Sequence, residues 1–146
     1  MIIQCAANTG VDLPAECLLP EGGFSRETEF ELVIGKRYVV YAATMFLLCP
    51  WFYICDELFR YYPIWHPSPL FSIIDGRLSR YWKCGIHRSF TEPLHPLVIA
   101  FPEWVDDEGY YERLADGNDD AKALFAHYKD LIDKECGSQT SETETQ

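Results

Sequence analysis

The segment Trp82-Lys83-Cys84-Gly85-Ile86-His87-Arg88 brings a thiol and an imidazole close together in the chain. That is the pairing from which a cysteine nucleophile and its histidine base are built. Such a base needs an orienting partner, and the sequence specifies neither a carboxylate nor an amide for the role, with His95 the only other imidazole near by. Cys84 and His87 therefore read first as a structural thiol and a loop histidine. A wider set, Trp65, His66, Asp75, Cys84 and His87, falls near the ends of expected strands. It would line an enzyme or ligand pocket if the fold made these residues converge.

Metal chemistry finds less support. His66, His87, His95 and His127 fall in different expected elements, there is no HExxH helix, and no cysteines stand at zinc-knuckle spacing. Neither a metal nor a cofactor is expected. The acid pairs Asp56-Glu57, Asp106-Asp107 and Asp119-Asp120 are neighbours in sequence. Glycoside hydrolysis needs two carboxyls held apart across a groove, which adjacency does not provide, so these pairs read as helix caps and solvated surface. The phosphate-binding GxxxxGK and GxGxxG patterns and the calcium-loop pattern are absent.

Charge carries the more useful signal. Residues 1–102 hold ten acids and eight bases, whereas residues 103–146 hold thirteen acids and four bases, so nearly all of the net charge of −11 lies in the last third. A field of that sign repels nucleic acid and anionic membrane and attracts basic proteins. The bases Arg77, Arg80, Lys83 and Arg88, interleaved with Tyr81 and Trp82, have the composition of a nucleic-acid surface. In so acidic a chain they are expected to pair with the acidic C-terminal helices instead.

The leading expectation is a noncatalytic acidic interaction module, an inhibitor or neutralising partner of a basic protein. Asp106, Asp107, Glu108, Asp116, Asp119 and Asp120 would steer that partner, and the exposed members of Trp65, Trp82, Trp104, Tyr110 and Tyr111 would anchor it. The alternatives are the small enzyme or ligand-binding barrel with the pocket named above, and a subunit whose aromatic surface closes in a homodimer.

These residues must be held by elements, and the chain's 146 residues suffice for one α+β domain. The uncharged stretch 38–55, YVVYAATMFLLCPWFYIC, is marginal in length for a membrane span and contains Pro50. Its strand formers cluster at Tyr38–Tyr41 and Trp51–Ile54, which predicts two core strands separated by Ala42–Met45 and Pro50. Before it lie an irregular lead-in with a flexible turn at Gly22-Gly23 and a strand interrupted at Gly35-Lys36. After it, PIWHPSP predicts a stiff extended loop, and Asp75-Gly76 predicts a tight hairpin between 70–74 and 77–84. Leu97–Phe101 predicts a strand ended by Pro102, with Pro93 and Pro96 before it.

From Glu103 onward the pattern is helical. One short helix is expected to begin at Asp106-Asp107-Glu108 and stop near Asp116-Gly117. A second, capped by Asn118 or Asp119, carries Ala121, Leu124, Phe125, Tyr128, Leu131 and Ile132 on one face. The fold class is therefore α+β, a strongly bent antiparallel sheet or small β-barrel followed by two helices, over residues 1–136, with a disordered acidic tail at 137–146. The start of the chain, Met1-Ile2-Ile3-Gln4, has no secretory signal character. The cysteines at 5, 17, 49, 55, 84 and 136 are accordingly expected as free thiols in a reducing, cytoplasmic setting, with disulfides as the alternative if an export signal has been trimmed.

Overall fold

The uncharged stretch 38–55 is β-structure, and it makes parts of three strands rather than two. The computed structural model describes residues 1–18, 24–46, 48–88 and 96–143, the side chains of 138–143 excepted. Gly22-Gly23, Pro93 and His95 lie outside the described residues. The strands are β1 (Ile2–Cys5), β2 (Arg37–Val39), β3 (Ala42–Phe46), β4 (Cys49–Ile54), β5 (Ile64–Pro67), β6 (Phe71–Asp75), β7 (Lys83–Ile86) and β8 (Leu97–Ala100). Helices α1 (Pro102–Asp106), α2 (Tyr110–Ala115) and α3 (Asp119–Thr143) follow.

The protein is α+β, with two antiparallel sheets in the orders β2-β1-β6 and β5-β4-β3-β8-β7. Neither sheet closes on itself, which corrects the barrel expectation: β2 and β6 are the edges of one sheet, β5 and β7 of the other. Ala42–Met45, read as a separator, is the body of β3, because its small residues pair along β4 from Ala42↔Tyr53 to Phe46↔Cys49. Pro50 is tolerated in β4 because it lies beyond the end of β5, whose pairing stops at Trp51↔Pro67. PIWHPSP is not a loop. Its prolines enforce extended backbone, and Ile64–Pro67 docks as edge strand β5.

The hairpin expected at Asp75-Gly76 does not form. Asp75 accepts hydrogen bonds from the Arg77 backbone N–H and guanidinium, closing a local turn. Beyond it the chain crosses to the other sheet, since β6 pairs with β1 through Ile3↔Ile73 and Cys5↔Phe71, and β7 pairs with β8. Of the strand expected to be interrupted at Gly35-Lys36 only the later part forms: residues 30–34 are irregular, Gly35 turns with φ 87° and its N–H donates to the Cys5 carbonyl, and β2 begins at Arg37.

Two apolar cores result. Ile3, Cys5, Tyr38, Val40, Trp51, Ile54 and Leu70 build the first, together with Leu13, Cys17 and Phe30 from the N-terminal lead-in. The second joins Tyr41, Ala42, Val98 and Ala100 of the larger sheet to Phe101, Trp104, Tyr110 and the α3 residues Phe125 and Ile132. β1 and β2 serve both, because alternate side chains point to opposite faces: Ile3 and Tyr38 pack in the first core, Ile2 and Val39 against the second.

Among the described residues there are three α-helices rather than two, because Pro102, fixed at the φ of a first helical turn, opens α1 directly after β8. Asp106 thus ends a helix, where the sequence had it beginning one. α2 ends at Asp116-Gly117 as expected, with Gly117 at φ 83°. α3 is capped by Asn118, whose Oδ1 accepts the Ala121 N–H at 3.0 Å, and Ala121, Leu124, Phe125, Tyr128 and Ile132 of its expected apolar face pack on the second core. The α3 backbone continues past Cys136 to Thr143.

Among the described residues no helix is long and apolar enough to cross a membrane. The expectation of six free thiols is corrected: Cys17 and Cys49 form a disulfide with Cα atoms 5.4 Å apart, while Cys5, Cys55, Cys84 and Cys136 are free. The lead-in folds back over β4 into the first core, bringing together two cysteines whose 32-residue separation carries no motif. This pairing is the disulfide alternative kept open for the cysteines, and disulfides persist mainly in oxidising compartments.

Candidate functional site

Two hollows flank helix α2. The first, of about 580 Å³, has aromatic walls: Phe46 of β3, Tyr53 of β4, Trp65 of β5, Trp104 of α1 and Tyr111 of α2. Its polar groups are Thr44, His87, Glu108 and Glu112.

Strand register creates the wall. Tyr53 and Trp65 are directly opposite in the β4–β5 ladder, and their rings stack with centroids 6.3 Å apart. Trp104 and Tyr111 stack at 5.5 Å, and Tyr53 meets both edge-on, at 4.9 Å and 5.1 Å. The Tyr111 hydroxyl donates to the Pro63 carbonyl at 2.8 Å, which pins α2 to the start of β5. His87 Nε2 donates to the Val105 carbonyl at 3.0 Å, and Thr44 Oγ1 to the Leu97 carbonyl at 2.8 Å. Burial pushes the phenols of Tyr53 and Tyr111 well above the ordinary tyrosine range, so both are neutral donors at any physiological pH.

The second hollow, of about 590 Å³, lies on the other side of α2 and is acidic. Glu103, Asp106, Asp107 and Asp120 line it together with Tyr110, Arg113 and Asn118. Its carboxylates are partly engaged: Asp106 pairs with Lys83 of β7, and Asp107 with Arg113, both at 2.7 Å. The Arg113 hydrogen bond, helped by the Gly109 N–H, holds the Asp107 carboxyl below its usual range. Glu108 accepts the Arg88 backbone N–H at 2.6 Å. Glu112, Asp116 and Asp120 enter no ion pair among the described residues, and Asp119 is almost fully exposed with Lys122 at 3.8 Å. The six expected steering acids thus fall into two groups: Asp106, Asp107 and Glu108 bonded within the fold, and Asp116, Asp119 and Asp120 facing solvent.

The expected anchors divide as well. Trp104 and Tyr110 are 2% and 1% exposed, so they are core residues that touch the two hollows without offering free surface. Trp65 and Tyr111 are half-buried in the aromatic wall. Trp82 is half-buried against both cores, with its indole N–H enclosed and without an acceptor among the described residues.

Of the five residues expected to converge in a pocket, Trp65 and His87 line the aromatic hollow. His66, the next residue in β5, is buried with Nε2 2.9 Å from Asp56 Oδ2. Asp75 is held by Arg77, whose hydrogen bond is the main reason its carboxyl falls to about 2. Cys84 is exposed on edge strand β7. The nearby bases are used internally: Arg77 pairs with Asp75, Lys83 with Asp106, and Arg80 approaches Glu135 of α3 at 3.6 Å.

Sequence reading missed Phe46, Tyr53 and Glu112 as site residues. The run Tyr110-Tyr111-Glu112 signalled an acid beside aromatics, but Tyr53 joins it only through the β4–β5 register. Among the described residues no group of three or more His, Cys, Asp or Glu could hold a metal ion. No protein family, curated protein or solved structure matches the chain.

Proposed function

We propose that the protein is a noncatalytic binding module for a basic protein, acting on it as an inhibitor or neutralising subunit through the surface of α1, α2 and the first turn of α3. One observation carries this reading: the groove lined by Glu103, Asp106, Asp107 and Asp120 adjoins the exposed acids of the α2–α3 corner. A surface of one sign attracts an opposite partner over long range and raises its encounter rate, while buried aromatic contacts supply most of the affinity.

The test has two stages. Basic proteins retained by the immobilised protein at low salt are identified, and association kinetics are then measured with the purified partner. Asp116→Asn, Asp119→Asn and Asp120→Asn together are expected to slow association roughly tenfold at low salt, with little change in dissociation. An association rate unchanged by the triple substitution, at low and at high salt, would refute the reading.

A small-ligand reading has its own observation in the size of the aromatic hollow, about 580 Å³, which lies within the range of ligand pockets.

A further inference from the structure

We infer that the aromatic hollow is a site for an uncharged, flat heteroaromatic molecule whose edge carries an N–H beside a carbonyl, as in a lactam. The inference rests on the small-ligand reading above, gives it a chemistry, and is independent of the acidic surface across α2.

Stacking is the first requirement. Phe46, Tyr53, Trp65, Trp104 and Tyr111 border a space of about 580 Å³, and a flat ring gains most from burial against such walls. Charge is the second. No Lys or Arg lines the hollow among the described residues, so an anion finds no counterion there. Glu108 and Glu112 are exposed, and Glu108 already accepts the Arg88 N–H at 2.6 Å, so neither carboxylate selects a cation.

The polar edge is the third requirement, and it decides the class. His87 is 6% exposed, and its Nε2 donates to the Val105 carbonyl at 3.0 Å, which in the neutral ring leaves Nδ1 as an acceptor. Trp104, the residue before Val105, is 2% exposed and offers an indole N–H donor. Neither His87 Nδ1 nor the Trp104 N–H has a hydrogen-bond partner among the described residues. Both differ from His66 Nδ1 and the N–H groups of Trp51 and Trp82, which lack partners but are fully enclosed. A molecule filling the hollow strips water from this donor and this acceptor, and it loses affinity unless it restores their bonds. A hydrocarbon restores neither. A lactam-bearing ring accepts from Trp104 and donates to His87 while it stacks on the walls.

The test uses the whole protein at about pH 8, above the ordinary histidine range. Three probes are added: carbostyril, a two-ring lactam; N-methylcarbostyril, which keeps the carbonyl and lacks the N–H; and quinaldate, a two-ring anion. Two-dimensional NMR reads the indole N–H resonances and the His87 ring nitrogens. Trp65 and Trp104 line the hollow, whereas Trp82 lies outside its described lining and serves as an internal control. Carbostyril is expected to shift Trp65 and Trp104 saturably, leave Trp82 in place, and move the His87 Nδ1 resonance upfield as that nitrogen accepts a hydrogen bond. N-methylcarbostyril is expected to bind about tenfold more weakly and leave Nδ1 unmoved, and quinaldate to bind more weakly than carbostyril.

Equal affinities of carbostyril and N-methylcarbostyril, or binding that leaves His87 Nδ1 unmoved, would overturn the lactam inference while the small-ligand reading stands. Quinaldate binding as tightly as carbostyril would overturn the assignment to an uncharged ligand. No shift at Trp65 and Trp104 with any probe would remove both the inference and the small-ligand reading, whereas the acidic-surface reading is decided by its own substitutions.

Discussion

Asp56 is almost fully buried, and its two oxygens serve three donors: the Leu58 and Phe59 backbone N–H groups at 2.9 Å and 2.7 Å, and His66 Nε2 at 2.9 Å. Burial acts to raise its carboxyl, but the bonds from His66, Phe59 and Leu58 outweigh it and leave the group below its usual range. A carboxyl lowered by folding stabilises the protein above the unfolded value, about 3.9, and loses that contribution as pH falls through the folded value. Asp56→Ala is expected to cost about 3 kcal/mol at neutral pH, read from urea unfolding, because a buried histidine and two N–H groups lose their acceptor. The variant should also lose less stability than the wild type on acidification to about pH 3. Identical acid limbs would show that Asp56 does not govern that transition. The cysteines allow a second check. Cys84 is exposed, Cys5 and Cys136 are buried, and burial pushes the half-buried Cys55 up to about 12. A thiol reagent should titrate one fast cysteine in the native protein and four after denaturation without reductant; six in the second case would exclude the Cys17–Cys49 bond.

At the scale of elements, the connection between β6 and β7 replaces the expected hairpin and locks the sheets to α3. Ser79 Oγ donates to Glu135 Oε2 at 3.2 Å, and both residues are buried. Two residues earlier on α3, the Tyr41 hydroxyl donates to Asp133 at 2.6 Å, and Lys129 pairs with Asp133 at 2.7 Å. Glu135→Ala is therefore expected to destabilise the fold by about 1–3 kcal/mol in urea unfolding, because the Ser79 hydroxyl, which still accepts the Tyr81 N–H, loses the acceptor for its own proton. Truncating the exposed Asp119 should stay within about 0.5 kcal/mol. The same contrast sorts the acids of the binding surface. Replacing Asp106, Asp107 and Glu108 together removes the bridge from α1 to β7 and the Arg88 contact, so part of any lost binding would be lost structure. Asp116, Asp119 and Asp120 carry no such duty, which makes them the cleaner probe of steering.

The whole molecule has two cores joined by β1, β2 and Trp82, which pack against both. Unfolding followed by tryptophan fluorescence and by far-ultraviolet circular dichroism is expected to give coincident transitions, since neither core can open without exposing strands of the other. Non-coincidence would indicate two independently folding units. The disulfide closes the N-terminal lead-in onto β4 across 32 residues. By the chain-entropy argument its reduction should cost about 3–4 kcal/mol, measurable as a lower urea midpoint with reductant. An unchanged midpoint would remove it as a stabilising link.

What the chain determined locally is what local chemistry dictates. Strand formers made 38–55 extended, Pro102 ended β8, Gly117 ended α2, Asn118 capped α3, and three-and-four spacing set its buried face. The excess of acid in the last third is likewise a property of composition. Tertiary structure decided the rest, because it depended on which strand found which neighbour. Asp75-Gly76 has hairpin chemistry, but β6 paired with β1 at the start of the chain. Tyr53 joined Trp65, Trp104 and Tyr111 only through register and helix docking, and adjacent His66 turned to the opposite face to meet Asp56. Cys17 reached Cys49 only because the lead-in folds over the first core. A sequence lists side chains and their local preferences. The distances among them, which make an aromatic hollow or a disulfide, are set by packing between segments far apart in the chain.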